Sequence, residues 1–327
     1  MRVYTVTQGR NGAPRAWRRR LGVPAAVLTA CVLGGTTGTL AQDVTIGPLL
    51  RAGDEFRLEL VRIRESSDRP AQDSRSRTVV NVRVVSATPA GTVLDWVPAD
   101  TVFDNPRVAQ DPLLTWAAEA VADLQFRLTL NADGELTGLA NEAEIVPKLQ
   151  SVLDLALRDL EAKVPAAQRK ALDDLVRRVL SPGALVGTAT REAQIYFGLN
   201  GVALAPGERV EAAVEQPNPI GDGTLPATFA VHLASVTPET ASLRTTMTYD
   251  TTVLLQSLVA LSKQAGKPIP PEGLAKMPPM TMADDATYLF DRTLGLMREV
   301  LVNRRIAIEN LRRFDGWEIR LLSDPAR

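Results

Sequence analysis

Residues 53–65 read GDEFRLELVRIRE, and this stretch decides the fold class. Phe56, Leu58 and Leu60 are separated by single charged residues. Strict alternation of apolar and charged residues indicates a β-strand with one buried face. The stretch therefore predicts a sheet that packs one face against a core and exposes the other.

Three more strand patterns follow in the first half of the chain. They are TVVNVRVV (78–85), TVLDWV (92–97) and LQFRLTL (124–130), separated by turns rich in Ser, Pro, Asp and Gly. The last of them reaches Asn131–Gly134, in which Asp-Gly between apolar runs predicts a hairpin. This order predicts an antiparallel meander.

The second half of the chain repeats this order of strands and turns. Its strand patterns are TFAVHLA (228–234), ASLRTTMTY (241–249), ATYLFD (286–291) and LMREVLVNRRIAI (296–308). Matching turn residues are offset by 154, 149 and 161 positions, for the pairs Gly53 and Gly207, Pro89 and Pro238, Gly134 and Gly295. Such spacing predicts two structurally equivalent halves. The alternative is that any two antiparallel meanders look alike.

Helical patterns interrupt the strands and complete the predicted organisation. We predict a first β-meander half at 42–197 with a helical hairpin at about 142–180. The second half, 198–327, contains a helix at about 252–265 and a Pro/Met loop at 266–282. The predicted fold class is α+β: a curved antiparallel sheet, either an open barrel or two meander halves, with helices packed on or inserted between the sheets.

The first 41 residues have the three parts of a secretory signal. Arginines, three of them consecutive at Arg18–Arg20, precede the apolar stretch LGVPAAVLTACVLG and a small, polar region that ends at Ala41. The stretch is shorter than the roughly 20 apolar residues that span a bilayer. We predict cleavage between Ala41 and Gln42, and export to the periplasm or beyond.

A lipoprotein signal is the alternative interpretation of the same segment. Leu28–Cys31 reads LTAC, which fits a lipobox, and a Gly/Thr-rich tether follows it. Residues 1–30 would then be removed and Cys31 would carry the lipid. The protein would be anchored to a membrane instead of soluble in the envelope.

Composition excludes several classes of function for the exported chain. Cys31 is the only cysteine, which excludes a disulfide within the chain and Cys-ligated metal sites. Six of the 37 basic residues and none of the 38 acidic ones lie in the first 41, so the mature net charge is −7. That charge argues against nucleic acid as a partner. No later segment is long and apolar enough to span a membrane.

Catalytic motifs are absent from the sequence, so we predict a protein that is not an enzyme and has no cofactor. The single histidine, His232, lies in a strand on the face opposite Val231 and Leu233, and is interpreted as structural. The glycines near position 200 lack the spacing of a phosphate loop. Carboxylates could serve a hydrolase, but their positions fit solvated turns better; they are Asp95, Asp100, Asp104, Asp284 and Asp285.

A run of prolines and methionines at 266–282 gives the sole metal candidate. Met277, Met280 and Met282 are spaced closely enough for thioether binding of Cu(I). The interpretation that we favour is a stiff apolar loop, in which methionine fills space over a hydrophobic opening.

The element order resembles the LolA/LolB-like open barrels of bacterial envelope proteins. The exported N-terminus, the long meanders and the intervening helices carry the resemblance, which covers residues 45–323 without a diagnostic motif. It also resembles exported proteins of the proteobacterial type whose role is uncharacterised. The resemblance implies binding of a lipid or acyl chain in an apolar cavity, or a scaffold role.

Three functions follow from these expectations. The first is a non-enzymatic envelope protein that binds a lipid or other apolar small molecule between sheet and helices. The second is a structural or interaction protein with a packed core and an envelope protein as partner. The third is a hydrolase that uses carboxylates.

Overall fold

The structure, a computed structural model, describes residues 43–109, 124–162, 182–218, 224–264 and 278–323, together with positions 122, 164–166, 169, 173 and 269–270. The strands in these residues are β1 Val44–Thr45, β2 Glu55–Ser66, β3 Ser74–Thr88, β4 Gly91–Phe103, β5 Phe126–Asn131, β6 Leu136–Leu139, β7 Ala203–Leu204, β8 Arg209–Pro217, β9 Thr224–Val236, β10 Thr240–Tyr249, β11 Met280–Asp291, β12 Leu296–Ile308 and β13 Leu311–Ser323. The helices are α1 Pro106–Ala109, α2 Glu142–Ala162, α3 Pro182–Ala189, α4 Arg191–Phe197 and α5 Thr251–Gln264, with a 3-10 turn at Pro70–Gln72.

Eleven of these strands form one antiparallel sheet in the order β6-β5-β4-β3-β2-β13-β12-β11-β10-β9-β8. Strands β2 to β6 are consecutive neighbours in this order, and so are β8 to β12; each set is called a meander here. Pairing of β2 with β13 joins the two meanders, with Arg62 opposite Trp317. The sheet is not closed, and β6 and β8 are its edges in the described residues. The prediction of a mainly antiparallel sheet accompanied by helices is confirmed.

The two meanders follow each other along the sheet in the same strand order. β2 to β6 match β8 to β12, and β13 lies between the two sets. Matching strands are six positions apart, so they run in the same direction in an antiparallel sheet. This arrangement is the one that a tandem repeat would give, and the duplication stays a prediction.

One face of the sheet carries the main hydrophobic core. Along β2, Phe56 and Leu58 are buried while Glu55 and Arg57 are exposed, as the alternation in residues 53–65 predicts. The core cluster takes residues from both meanders and from α4. From α4, the Tyr196 hydroxyl donates a hydrogen bond to the carbonyl of Met297 in β12 (2.9 Å). A single core therefore joins the two halves.

Helices α2 and α5 cover further parts of the chain. Glu142 and Glu144 lie in the first turn of α2, where their negative charges interact favourably with the positive end of the helix dipole. Its buried stripe includes Ile145 and Leu149. Helix α5 packs on β9 and β11, where Leu254 joins a second hydrophobic cluster. The predicted helix at about 252–265 lies within one residue of α5, whereas most of the second helix of the predicted 142–180 hairpin lies outside the described residues.

Residues 43–50, called here the N-terminal strap, pack against turns of both meanders. β1 pairs with β7, and the Ile46 amide donates a hydrogen bond to the Val202 carbonyl (2.8 Å). Both hairpin glycines of the meanders contact the strap. Gly134 lies against Pro48, and Gly295 lies against Leu49. The strap therefore bridges turns that are far apart along the sheet.

None of the helices in the described ranges combines the length and the apolar character that a membrane span requires.

Candidate functional site

A cavity of about 290 Å³ opens between the two edges of the sheet. Its apolar walls come from Leu136 of β6, Val214 of β8, Phe229 of β9, Met247 of β10 and Phe197 of α4. Strands at opposite ends of the sheet order thus line the same space. The sheet curls until its edges face one another across α4.

The lining of the cavity suits an apolar ligand. Polar groups come from Glu135, Gln194 and Gln216. Phe197 makes the back wall and is held rigidly, because its ring packs edge-to-face on Tyr196 (5.0 Å between centroids) and on Trp96 (6.4 Å). An apolar cavity with a few polar groups is the usual form of a small-molecule site.

A row of alternating charges lies beside the cavity on the same face of the sheet. In register, Met247 of the cavity wall is opposite Asp284, which is opposite Arg304. Arg304 is in turn opposite Asp315, which is opposite Arg64. Opposite charges at facing positions of neighbouring strands attract each other. The row therefore runs from the cavity into the middle of the sheet.

Arg304 is the most completely bonded member of the row. Its Nε and Nη2 donate to the two carboxylate oxygens of Asp284 at 2.8 and 2.7 Å. Nη2 also donates to the Tyr249 hydroxyl (2.9 Å), which itself donates to Asp284 (2.7 Å). Burial lowers the pKa of Arg304, but the bonds to Asp284 outweigh it and the pKa is raised. Burial raises the pKa of Tyr249.

Asp315 is held by two arginines. Arg313 Nε and Arg64 Nε donate to its carboxylate at 2.9 and 3.2 Å. Its side chain is only 7% exposed, and burial alone would raise its pKa. The hydrogen bond and charge of Arg313, together with Arg64, outweigh burial, so the pKa of Asp315 lies below its usual value.

Three guanidinium groups surround one indole ring next to this row. The Cζ atoms of Arg191, Arg62 and Arg304 lie 5.7, 5.8 and 6.0 Å from the ring centroid of Trp317. We call these four residues the arginine–tryptophan cluster. Cations at such distances from a tryptophan ring are attracted to its electrons. Trp317 is buried, whereas Arg62 and Arg191 are half-buried.

Glu192 completes the surroundings of the cluster. Burial raises the pKa of its carboxyl group, against the opposing charges of Arg62 and Arg191. Burial also lowers the pKa of both arginines. Within the described residues, neither arginine has a carboxylate within ion-pair distance, in contrast to Arg304. Two cations in the cluster are therefore only partly compensated.

Helix α4 connects the cavity and the cluster. Arg191 lies at its first position and Phe197 at its last. Six residue steps separate them, so the two side chains attach about 9 Å apart along the helix axis. The helix lies against β6, β12 and β13. One short helix thus covers both an apolar and a cationic region.

The carboxylates that the sequence offered for a hydrolase lie at separate places in the structure. Asp95 accepts from Arg127 (2.8 Å), and Asp104 is 3.9 Å from Arg75. Asp284 faces the core side and bonds Arg304, whereas Asp285 lies on the other face and pairs with Arg305. Asp100 lies in β4. Asp95, Asp284 and Asp285 therefore form ion pairs between neighbouring strands.

His232, Met280 and Met282 are not among the residues that line the cavity. His232 lies in β9, opposite Arg244 and Arg209 of the neighbouring strands. Strand β11 begins at Met280, so the predicted loop 266–282 ends earlier than expected, and Met280 and Met282 are buried in the second hydrophobic cluster. In the ranges that the structure describes, no three His, Cys, Asp or Glu side chains converge as metal ligands. Four other predicted site residues lie outside the described residues: Cys31, Ala41, Gln42 and Met277.

The arginine–tryptophan cluster was not predicted from the sequence. One signal was available in residues 53–65, where the alternation of Phe56, Leu58 and Leu60 continues onto Arg62. This continuation places an arginine on the buried face. The other part of the cluster had no signal in the sequence. The predicted helical hairpin ends at about residue 180, whereas α3 begins at Pro182 and α4 follows and carries Arg191.

Comparison with solved structures gives distant similarity to two proteins of known structure. No family model matches the chain, and no curated protein matches it. A lipovitellin structure that concerns lipid–protein interactions is similar with a TM-score of 0.37 and 8% identity, over 85% of this chain and 26% of that chain. The β domain of the Bordetella autotransporter BrkA gives a TM-score of 0.18 and 8% identity, over 83% of this chain and 100% of that domain. The chain spans about a quarter of the lipovitellin chain, and similarity at this level assigns no function.

Proposed function

We propose that this protein is exported to the bacterial cell envelope and binds a lipid or other apolar ligand, without catalysing a reaction. The ligand occupies the cavity between α4 and the two sheet edges, so that the sheet acts as an open barrel. The observation that carries the proposal is the shared lining of this cavity by β6 and β8. The signal segment at 1–41 supports export.

The size and chemistry of the cavity support a binding role. Its volume of about 290 Å³ lies at the lower end of the roughly 300–1,000 Å³ of ligand pockets. Met247 and Phe229 offer adaptable and flat apolar contacts. Gln194 is exposed near the opening and Gln216 is half-buried, so polar groups are available to orient a ligand.

The carboxylates favour binding over hydrolysis. A carboxylate pair that hydrolyses a bond requires one member able to hold or accept a proton. Asp284 is instead clamped by two hydrogen bonds from Arg304, and Asp95 by Arg127. These hydrogen bonds occupy the carboxylate oxygen atoms of both residues.

Ligand binding is tested on purified mature protein. Native mass spectrometry and solvent extraction detect a co-purified lipid, and calorimetric titration with N-phenyl-1-naphthylamine, a neutral apolar probe, measures the affinity. Met247→Trp fills the cavity and is expected to weaken probe binding about tenfold or more, equivalent to 1.4 kcal/mol. Thr246→Trp is the matched control, because Thr246 is exposed on the opposite face of β10.

Two results would contradict the proposal. If the wild type neither carries a lipid nor binds the probe, the alternative of a structural protein with a packed core replaces it. If Met247→Trp and Thr246→Trp weaken binding equally, the probe binds elsewhere. Intact-mass analysis of the exported protein tests the location separately, by finding Gln42 at the N-terminus or a lipidated Cys31.

A further inference from the structure

Two buried hydrogen-bond donors on neighbouring strands have no acceptor in hydrogen-bond geometry among the residues that the structure describes. They are Arg62 Nε and Trp317 Nε1, from residues directly opposite in the β2–β13 pair. The Trp317 indole interacts with the Glu192 carboxyl but makes no hydrogen bond of normal geometry among the described residues. Buried donors of this kind call for a partner, because leaving them unpaired destabilises the fold.

The charges around the donors are unbalanced. Arg304 is neutralised by Asp284, and Asp315 is shared by Arg64 and Arg313. Among the described residues, this region contains five cations and three carboxylates, a net charge of +2: Arg62, Arg64, Arg191, Arg304 and Arg313 against Glu192, Asp284 and Asp315. Partly buried positive charge of this kind favours an anion.

We propose that Arg62 and Arg191, next to Trp317, bind the oxyanion head group, a phosphate or carboxylate, of an amphiphile whose apolar part occupies the cavity. This inference rests on the proposed function and adds the chemical class of the ligand. Arginine donates several hydrogen bonds in a planar fork that matches phosphate and carboxylate oxygens. The two arginines come from different elements, β2 and α4, and converge on one ring.

The cavity and the cluster are close enough for one molecule to reach both. Met247 in the cavity wall and Arg304 beside the cluster are separated by one strand, β11, through the register Met247–Asp284–Arg304. Two strand spacings correspond to about 10 Å. Helix α4 covers this interval, with Phe197 at the cavity and Arg191 at the cluster. An alkyl chain with a charged end spans this distance.

Calorimetric titrations with three probes, the two amphiphiles being kept below their micelle concentrations, separate the contribution of the head group from that of the alkyl chain. They are dodecyl phosphate, the uncharged dodecyl maltoside, and inorganic phosphate. We expect the wild type to bind dodecyl phosphate about tenfold or more tightly than the maltoside, since a charge-assisted pair adds at least that factor. We expect inorganic phosphate to bind more weakly than dodecyl phosphate. This comparison uses the wild type alone, so a variant that fails to fold does not leave the inference untested.

Variants then assign the preference to the two arginines. Arg62→Gln and Arg191→Gln are each expected to weaken dodecyl phosphate binding about tenfold and to leave maltoside binding unchanged. Arg57→Gln is the matched control, since Arg57 is exposed on the outer face of the same strand as Arg62. Arg62→Lys is expected to recover part of the loss, because it keeps the charge but not the fork.

The outcomes distinguish the inference from the proposed function. Equal binding of both amphiphiles, unaffected by Arg62→Gln or Arg191→Gln, overturns the head-group site and leaves apolar binding intact. Binding of inorganic phosphate that Arg62→Gln weakens, without binding of either amphiphile, supports an anion site for free phosphate and overturns both the amphiphile and the proposed function. Loss of dodecyl phosphate binding in Arg57→Gln as well overturns the assignment to the cluster.

Discussion

Replacement of Gly295 by alanine tests whether the N-terminal strap holds the two meanders together. Gly295 has a φ of 71° in the β11–β12 turn. A Cβ atom there would lie 2.7 Å from Leu49 Cγ and 2.9 Å from the Gly47 carbonyl oxygen, and closer still to the Leu49 backbone nitrogen. Because the strap backbone is in the way, the substitution displaces residues 47–49.

The expected loss in the free energy of unfolding has two parts, and the variant Gly207→Ala measures one of them by itself. Alanine at positive φ costs about 1–2 kcal/mol at either position. Gly207 has a φ of 80° and no heavy atom within 4 Å of an added Cβ, so Gly207→Ala measures this backbone cost alone. Gly295→Ala adds overpacking against the strap, about 1–3 kcal/mol. We therefore expect Gly295→Ala to be less stable than Gly207→Ala by about 1–3 kcal/mol.

Urea unfolding followed by circular dichroism gives the difference in the free energy of unfolding. Limited trypsin digestion adds a local measurement, because Arg51 follows the strap directly and is exposed. We expect faster cleavage after Arg51 in Gly295→Ala than in Gly207→Ala. Equal unfolding free energies and equal cleavage rates for the two variants would refute the packing of the strap on this turn.

Three predictions concern buried carboxylates. Asp291 accepts hydrogen bonds from the amides of Thr293 and Leu294 (both 2.8 Å) and pairs with Arg298. Asp291→Ala should therefore lower the free energy of unfolding by about 2–4 kcal/mol in urea titrations. Asp291→Asn keeps a hydrogen-bond acceptor and should lower the free energy of unfolding by less. The wild type should lose stability as pH falls through the lowered pKa of Asp315, and Asp315→Asn should flatten that dependence below about pH 4 in acid titrations. Burial raises the pKa of Glu192, so the protonated form stabilises the fold at low pH, and this stability is lost as pH rises through the folded pKa. Glu192→Gln should therefore unfold at a higher urea concentration than the wild type at pH 7. Below pH 4 the variant should unfold at the same urea concentration as the wild type.

The strands could be predicted from sequence because the period of two is visible residue by residue. Phe56 and Leu58 are buried as their alternation indicates. The pairing of β2 with β13 could not be predicted, because it joins residues about 250 positions apart and no local pattern encodes such contacts. Helix α3 was missed for a different reason. Its sequence PGALVGTA has glycines and no polar face, so it lacks the periodicity that identifies a helix.

The cavity and the arginine–tryptophan cluster could not be predicted from the sequence, because both depend on the curvature of the sheet. Leu136 and Val214 lie on opposite edge strands, and only the curl of the sheet brings them to one cavity. Arg191 and Trp317 meet only because α4 lies across β13. The lipid-binding expectation came from element order, and the cavity gives it a location that can be tested.

The proposed amphiphilic ligand would give the charged row a role that stability alone does not require. Removing charges from water costs several kcal/mol per ion, and replacing a buried ion pair by apolar residues is often neutral or stabilising. Arg304 and Asp284 are 18% and 16% exposed, and they continue a face whose other positions include Val302 and Ala286. Apolar residues at these positions would serve a purely structural core at least as well. Charge is concentrated where α4 meets β12 and β13, next to an apolar cavity. We infer that this face binds a molecule with one charged end and one apolar end.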